Sequence, residues 1–265
     1  MNIFISGASA GIGAELAKLY SQEKTNIYII ANSRIDLLAD ISKHCKFKKA
    51  NVVYRSADVR NFDQMKEIAE DFYKLFGNVD LLIANAGIAE SSNEKTPEIL
   101  LARNNMETNY FGAIHTIEAF LPQMKKQKAG QIVVISSLSS RLITRRSGAY
   151  SASKSAINSW TTALRLQLKQ FGIHVSILNP GFVDTSMTKE NSHFMPGLIS
   201  AELAAVKIKR YVDKKVRSRY FPFMAKLISL FLQILPKYIF EKVFLILEKY
   251  IGHHSYRKNH NQISN

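Results

Sequence analysis

Tyr150 and Lys154 stand four residues apart in a stretch of helical periodicity, so their side chains share one face. Ser137 follows the apolar run Ile132-Val133-Val134-Ile135-Ser136, which reads as a strand. That places it at a carboxyl edge, where open α/β sheets bind their ligands. A phenol, an ammonium and a hydroxyl brought together there form an acid/base set for moving a proton on or off an oxygen. A free phenol has a pKa of about 10, so acting at neutral pH needs a shift of about 3 units, roughly 4 kcal/mol. A nearby ammonium favours the phenolate. The serine hydroxyl can hold a substrate oxygen in place. A Tyr-x3-Lys pair is common by chance; its place downstream of a glycine-rich turn gives it meaning.

That turn is Ser6-Gly7-Ala8-Ser9-Ala10-Gly11-Ile12-Gly13, between an apolar run and a helical stretch. Glycines there permit a tight turn and let the backbone approach a pyrophosphate, and the helix N-terminus offers free N–H groups. Gly7, Ser9, Gly11, Ile12 and Gly13 are the candidate contacts. The spacing is G-x3-G-x-G rather than G-x-G-x-x-G, and by itself it is a weak signal that a purely structural turn could also give. An NAD site usually carries an acid near the end of its second strand for the ribose hydroxyls. Here that region reads Ile30-Ala31-Asn32-Ser33-Arg34, with no carboxylate before Asp36. Ser33 and Arg34 suit a 2′-phosphate instead, which favours NADP(H) over NAD(H). The alternative is that Arg34 is a solvated residue opening the next helix.

These groups need a scaffold. Short Ile- and Val-rich runs at 2–6, 26–31, 51–56, 79–84, 131–136 and 173–178 read as buried strands. Helical stretches fall between them near 11–23, 34–43, 61–76, 98–126 and 149–171. Such alternation predicts an α/β fold, a Rossmann-like doubly wound parallel sheet with helices on both faces. Residues 201–215 read as one further helix and 216–220 as a short edge strand. The expected organisation is a single dinucleotide-binding catalytic domain over 1–220, an apolar, amphipathic helical extension over 221–251, and a polar tail over 252–265.

The chain has 265 residues, 46% hydrophobic and 22% charged, which excludes a disordered chain. The single Cys45 makes no internal disulfide, and no charged leader precedes the first strand, so a cytoplasmic location is expected. Net charge is +15, and residues 201–265 hold 13 Lys/Arg against 4 Asp/Glu. The segment 221–235 would be a helix of about 22 Å, short of the about 30 Å a hydrocarbon core requires. Residues 214–251 therefore read as a peripheral contact with an anionic membrane, with Lys214, Lys215, Arg217 and Arg219 at the headgroups. A subunit interface or a cover over the cleft is the competing reading. No nucleic-acid reading motif is present, and the histidines show no metal-ligand spacing.

In order along the chain, Ser6–Gly13, Ala57-Asp58-Val59, Ala84-Asn85-Ala86-Gly87, Asn109-Tyr110, Ile135-Ser136-Ser137, Tyr150-Ser151-Ala152-Ser153-Lys154 and Asn179-Pro180-Gly181-Phe182-Val183-Asp184-Thr185 resemble motifs of the short-chain dehydrogenase/reductase family, over about residues 2–220. The resemblance implies that Tyr150 is the proton donor or acceptor and that Lys154 lowers its pKa and binds the nicotinamide ribose. It implies that Ser137 polarises the substrate oxygen and that Asn109 holds a water in a proton relay. Asp58 and Val59 would bracket the adenine, with Asn85, Ala86 and Gly87 lining the cofactor channel. Pro180, Gly181, Val183 and Thr185 would contact the nicotinamide. Two positions depart from the pattern: Ala10 and Asn32 stand where many NADP-preferring members carry a basic residue. The family usually pairs subunits through helices corresponding to 98–126 and 149–171, which implies a homo-oligomer.

Residues 186–200, with Met187, His193, Phe194, Met195 and Leu198, read as an apolar lid. It favours a small hydrophobic, lipid-like carbonyl or alcohol as substrate. A reductase of carrier-bound 3-ketoacyl groups is the alternative enzyme. A non-catalytic dinucleotide-binding sensor or scaffold is the alternative of another class.

Overall fold

Side chains of β1 (Asn2–Ser6) alternate between two buried faces, Ile3 and Ile5 entering one core and Phe4 the other. In the computed structural model the described residues are 1–22, 24–92, 96–143, 145–189, 195, 197–222, 227, 239 and 242. From β1 the chain passes through α1 (Gly11–Tyr20), β2 (Asn26–Ala31), α2 (Ile35–Phe47), β3 (Asn51–Ser56), α3 (Phe62–Phe76) and β4 (Leu81–Ala84). Next come α4 (Glu98–Met106), a π-helical turn (Glu107–Phe111), α5 (Gly112–Gln127), β5 (Gln131–Ile135), α6 (Gly148–Leu168) and β6 (His174–Pro180). The described order ends with β7 (Val183–Asp184), α7 (Ser186–Lys189), β8 (Ile199–Ser200), α8 (Ala201–Asp213) and β9 (Ser218–Phe221).

The main sheet is parallel throughout, in the order β3-β2-β1-β4-β5-β6-β9. Ile3 lies between Ile27 of β2 and Leu81 of β4. Chain order reverses between β1 and β4, opening a crevice at their carboxyl ends. On one face α1, α2 and α8 contribute Leu16, Leu38 and Ile208 to the core; on the other, α3, α5 and α6 contribute Phe72, Phe120 and Ile157. The second core is aromatic at its centre: Phe4 lies 4.6 Å from Phe120 and 5.9 Å from Tyr28, ring centre to ring centre. The Tyr28 hydroxyl stays satisfied by donating to Asp71 at 2.6 Å. Asn61 caps α3 by accepting from the Gln64 N–H at 3.0 Å, and Ser200 caps α8 from Leu203 at 3.2 Å.

Three details differ from the sequence expectation. The helix expected over 98–126 is interrupted by the π turn, because Asn109 is drawn out of register to bond the backbone of Ile88. The edge strand runs over Ser218–Phe221 rather than 216–220. The end of the 186–200 segment is tied back to the strand before it: a short ladder joins β7 to β8, pairing Val183 with Ile199. His193 and Phe194 lie outside the described residues, as do 252–265 and all of 223–251 except 227, 239 and 242. Among the described residues no helix is long and apolar enough to cross a membrane.

Candidate active site

A cleft of about 460 Å³ runs along the carboxyl edge of the sheet from β2 to β6. At its centre the glycine turn folds against β4. Gly7 has φ +67, and a Cβ there would sit 2.6 Å from Ala86 Cα. A Cβ on Gly13 would collide with the Gly7 carbonyl oxygen and approach Asn85 Nδ2 to 2.6 Å. Asn85 braces the turn: its Nδ2 donates to the Ser6 and Gly7 carbonyls at 3.1 and 3.0 Å, and its N–H donates to Ser6 Oγ at 3.1 Å. No side chain caps the start of α1 at Ala10. The first-turn N–H groups are therefore left for a ligand, and Ser9, Gly11 and Ile12 line the cleft beside them. An uncapped helix end over a cradle too tight for a Cβ fits a dinucleotide pyrophosphate.

One end of the cleft is formed by Asn32, Ser33 and Arg34 after β2 and by Asp58, Val59 and Arg60 after β3. Arg34 is exposed and sits in the left-handed region, φ 59, at the N-cap of α2. It thus opens α2 from the solvent side, as the alternative reading of the sequence had it, while also lining the cleft. Asp58 carries the densest contacts. Arg60 Nε donates to both its carboxylate oxygens at 3.0 and 2.9 Å, and Arg60 Nη2 donates to Oδ2 at 2.6 Å. Asn32 Nδ2 adds a bond at 3.2 Å. The Arg60 guanidinium holds the Asp58 carboxyl below the usual carboxylate range.

At the other end, Ser137, Tyr150 and Lys154 converge on the cleft wall with Gly87. Ser137 starts a one-turn 3-10 helix (Leu138–Ser140), where its Oγ accepts from the Ser139 N–H at 3.1 Å. Lys154 is 5% exposed, and its Nζ donates to the Ile135 carbonyl at 3.2 Å. Burial brings its pKa down to about 8. Burial also pushes the Tyr150 phenol up, opposed by its hydrogen bond with Ser137. Any depression of the phenol by Lys154 would work against this burial, alongside the bond from Ser137. Pro180, Gly181, Val183 and Thr185 close this end, with the Gly181 N–H donating to the Phe221 carbonyl at 2.7 Å.

Two expected site residues are not on the wall. Gly13 lies behind it, as packing under Gly7. Asn109 is 1% exposed, and its amide is engaged with the Ile88 N–H at 2.8 Å, the Ile88 carbonyl at 2.9 Å and Ser153 Oγ at 3.0 Å. Its side chain thus fixes the loop after Gly87. Conversely, Arg60, Glu90, Asn104 and Thr108 line the cleft without having been singled out in the sequence. Glu90 accepts from Asn104 at 3.0 Å, a pairing between a loop and α4 that no local spacing signals. Arg60, two residues after Asp58, carried a faint local signal.

A family model described as short chain dehydrogenase matches residues 1–196. An uncharacterized oxidoreductase of Staphylococcus saprophyticus is 32% identical over 185 residues, 69% of this chain and 79% of that protein. The 11-beta-hydroxysteroid dehydrogenase 1A of Arabidopsis thaliana is 32% identical over 190 residues, 71% of this chain and 53% of the plant protein, so the match spans about half its length. A solved short chain dehydrogenase from Mycobacterium paratuberculosis, bound to NAD, has a TM-score of 0.72 at 22% identity, covering 83% of this chain and 94% of that one. An alcohol dehydrogenase from Thermococcus sibiricus, complexed with 5-hydroxy-NADP, has a TM-score of 0.72 at 24% identity with 83% and 94% covered. Those two structures, both under 25% identical, show the fold, and the family model over residues 1–196 shows the family. On that ground the chain belongs to the short-chain dehydrogenase/reductase family.

Proposed function

We propose that this chain is an oxidoreductase that prefers NADP(H) and interconverts a carbonyl and an alcohol on a small hydrophobic, lipid-like substrate. The carrying observation is the convergence of Ser137, Tyr150 and Lys154 on one cleft with the glycine turn. A nicotinamide dinucleotide bound there supplies or accepts the hydride at carbon. Tyr150, protonated by virtue of its burial, gives its proton to the carbonyl oxygen during reduction and takes it back during oxidation. Ser137 hydrogen-bonds that oxygen and holds it against the phenol. Lys154, its pKa brought down to about 8 by burial, keeps most of its charge at neutral pH beside Tyr150.

Support for NADP(H) comes from Ser33 and Arg34 on the wall, although one structural neighbour binds NAD and another a derivative of NADP. Support for an apolar substrate comes from Met187 on the wall and from the steroid dehydrogenase among the relatives. Two further parts of the reading concern surfaces. Exposed Lys214, Lys215, Arg217 and Arg219 form a basic strip for an anionic membrane. Exposed Ile99, Leu100 and Phe111, with Leu166 of α6, form a face for a second copy.

The test is oxidation of NADPH, followed by its nicotinamide absorbance, against ketones and aldehydes graded by chain length. Turnover that grows with apolar length and disappears in Tyr150→Phe supports the reading. Tight NADPH binding without turnover of any substrate favours the sensor. Sedimentation with anionic and neutral vesicles and light scattering test the two surfaces.

A further inference from the structure

We propose that Asn158 and Ser140 are positioning residues for the reaction, holding the turn that carries Ser137 against the same helix that carries Tyr150. The inference rests on the reading of Ser137, Tyr150 and Lys154 as the reaction centre. Asn158 lies on α6, in the series Tyr150, Lys154, Asn158. Each step of four keeps a side chain on nearly the same helix face, so Asn158 continues the stripe that meets the end of β5. Its amide reaches the turn after β5 directly: Nδ2 donates to Ser140 Oγ at 2.8 Å and to Asn179 Oδ1 at 3.0 Å. Asn179 closes the other side from β6 and is wholly buried. The Tyr220 hydroxyl, from β9, stands 3.3 Å from the Asn158 amide nitrogen and 3.4 Å from Ser140 Oγ.

A hydroxyl has one proton to give and two lone pairs to offer. The Ser140 proton goes to the Ser137 carbonyl at 2.7 Å, much closer than Asn179 Oδ1 at 3.4 Å. Its oxygen is then left to accept, and the Asn158 amide is the donor. The Ser140 N–H also donates to the Ser137 carbonyl, at 3.1 Å. That carbonyl is held by two donors and, through Ser140 Oγ, is tied to α6. Ser137 Oγ accepts from the Ser139 N–H, which fixes its hydroxyl to the same turn. The separation of Ser137 and Tyr150 is thus set by one helix and a turn fastened to it. Ser155 of α6 also donates to the Ser140 carbonyl at 2.8 Å, so losing the Ser140 hydroxyl shifts the turn without freeing it. The bond from Ser137 opposes the effect of burial on the Tyr150 phenol, and a shifted turn weakens that bond first.

The experiment is the pH profile of alcohol oxidation by the full chain with NADP. The substrate is the alcohol of whichever ketone in the graded series turns over fastest, and NADPH binding is followed by its fluorescence. Ser140→Ala and Asn158→Ala are each expected to lower kcat by about 10-fold to 10²-fold and to move the midpoint to higher pH, with NADPH affinity kept within about twofold. Ser140→Thr, which keeps the hydroxyl, is expected to restore the midpoint. Added to Ser137→Ala, Ser140→Ala is expected to move the midpoint no further, because its route to the phenol is already cut. A midpoint unmoved in Ser140→Ala overturns the proposal, whatever happens to kcat or to the melting temperature. A shift that adds in full to that of Ser137→Ala overturns it too, since Ser140 would then act on Tyr150 by another route. If Asn158→Ala does not fold, Ser140→Ala alone decides. Failure of the unaltered chain to turn over any member of the series refutes the reading of the site, and the proposal with it; turnover with an unshifted Ser140→Ala removes the proposal alone.

Discussion

Lys154 Nζ lies 5.8 Å from the centre of the Tyr150 ring and donates to the carbonyl of Ile135, at the end of β5. The ammonium is thus anchored on the sheet, one helical turn from the phenol, and nearly all of it is out of water. With its pKa at about 8, it releases its proton in the folded chain well before a free lysine would, at about 10.4. Between those two values the unfolded chain binds the extra proton, so stability rises with pH across that window and is lowest below about pH 8. Lys154→Met removes the buried charge. It is expected to raise stability near neutral pH by roughly 2 kcal/mol and to flatten this slope, while turnover is lost. Thermal unfolding of both proteins from pH 6 to about 10 checks it; parallel curves would contradict the argument.

Tyr150 is pushed the other way, above the ordinary tyrosine range. Reduction consumes the phenol proton and should therefore be flat with pH through neutrality, whereas oxidation needs the phenolate and should climb with pH. Tyr150→Phe is expected to cost about 10²–10⁴-fold in kcat, with NADPH affinity little changed. Rate profiles in both directions, with binding measured separately, test this; a plateau for oxidation at low pH would count against Tyr150 as the base.

Ser137→Ala removes the hydroxyl that opposes the rise in Tyr150. The apparent pKa governing oxidation should move upward in that variant, and kcat should fall by about 10²-fold. A pH profile that keeps its midpoint would mean that the two side chains are not coupled.

Asn109→Ala strands the Ile88 N–H and carbonyl in a region where Asn109 itself is 1% exposed. Each uncompensated buried group costs about 1–3 kcal/mol. The variant should melt earlier as well as lose activity, unlike Tyr150→Phe. An unchanged melting temperature would show that the loop after Gly87 holds its shape without this residue.

Gly13→Ala drives a methyl into the Gly7 carbonyl and Asn85 Nδ2. Backbone is the obstacle, so the turn itself must move, at a cost of about 1–3 kcal/mol. Dinucleotide affinity should fall along with stability. Titration with NADPH and a melt of the same sample separate the two effects.

The sheet was legible because its strands are buried on both sides: runs such as Ile27-Tyr28-Ile29-Ile30 are apolar without alternation, and they fall where β2 is found. Helix ends were less so. Tyr20 ends α1 earlier than periodicity suggested, where Ser21 turns back to bond the Lys18 carbonyl. The break at Asn109 follows from a bond to Ile88, 21 residues away, which periodicity cannot carry.

The sequence by itself determined the parallel α/β layering, the glycine turn, and the shared face of Tyr150 and Lys154, since these rest on local spacing and on burial along a strand. Only the tertiary structure decided which charges face one another. Asp58 is paired with Arg60 and tied to Asn32 across two strands, Glu90 meets Asn104, and burial raises the Tyr150 phenol against its bond with Ser137. Electrostatic balance depends on distance and solvent exclusion between segments far apart in the chain, and those exist only once the sheet has brought β2, β3, β4 and β5 to a common edge.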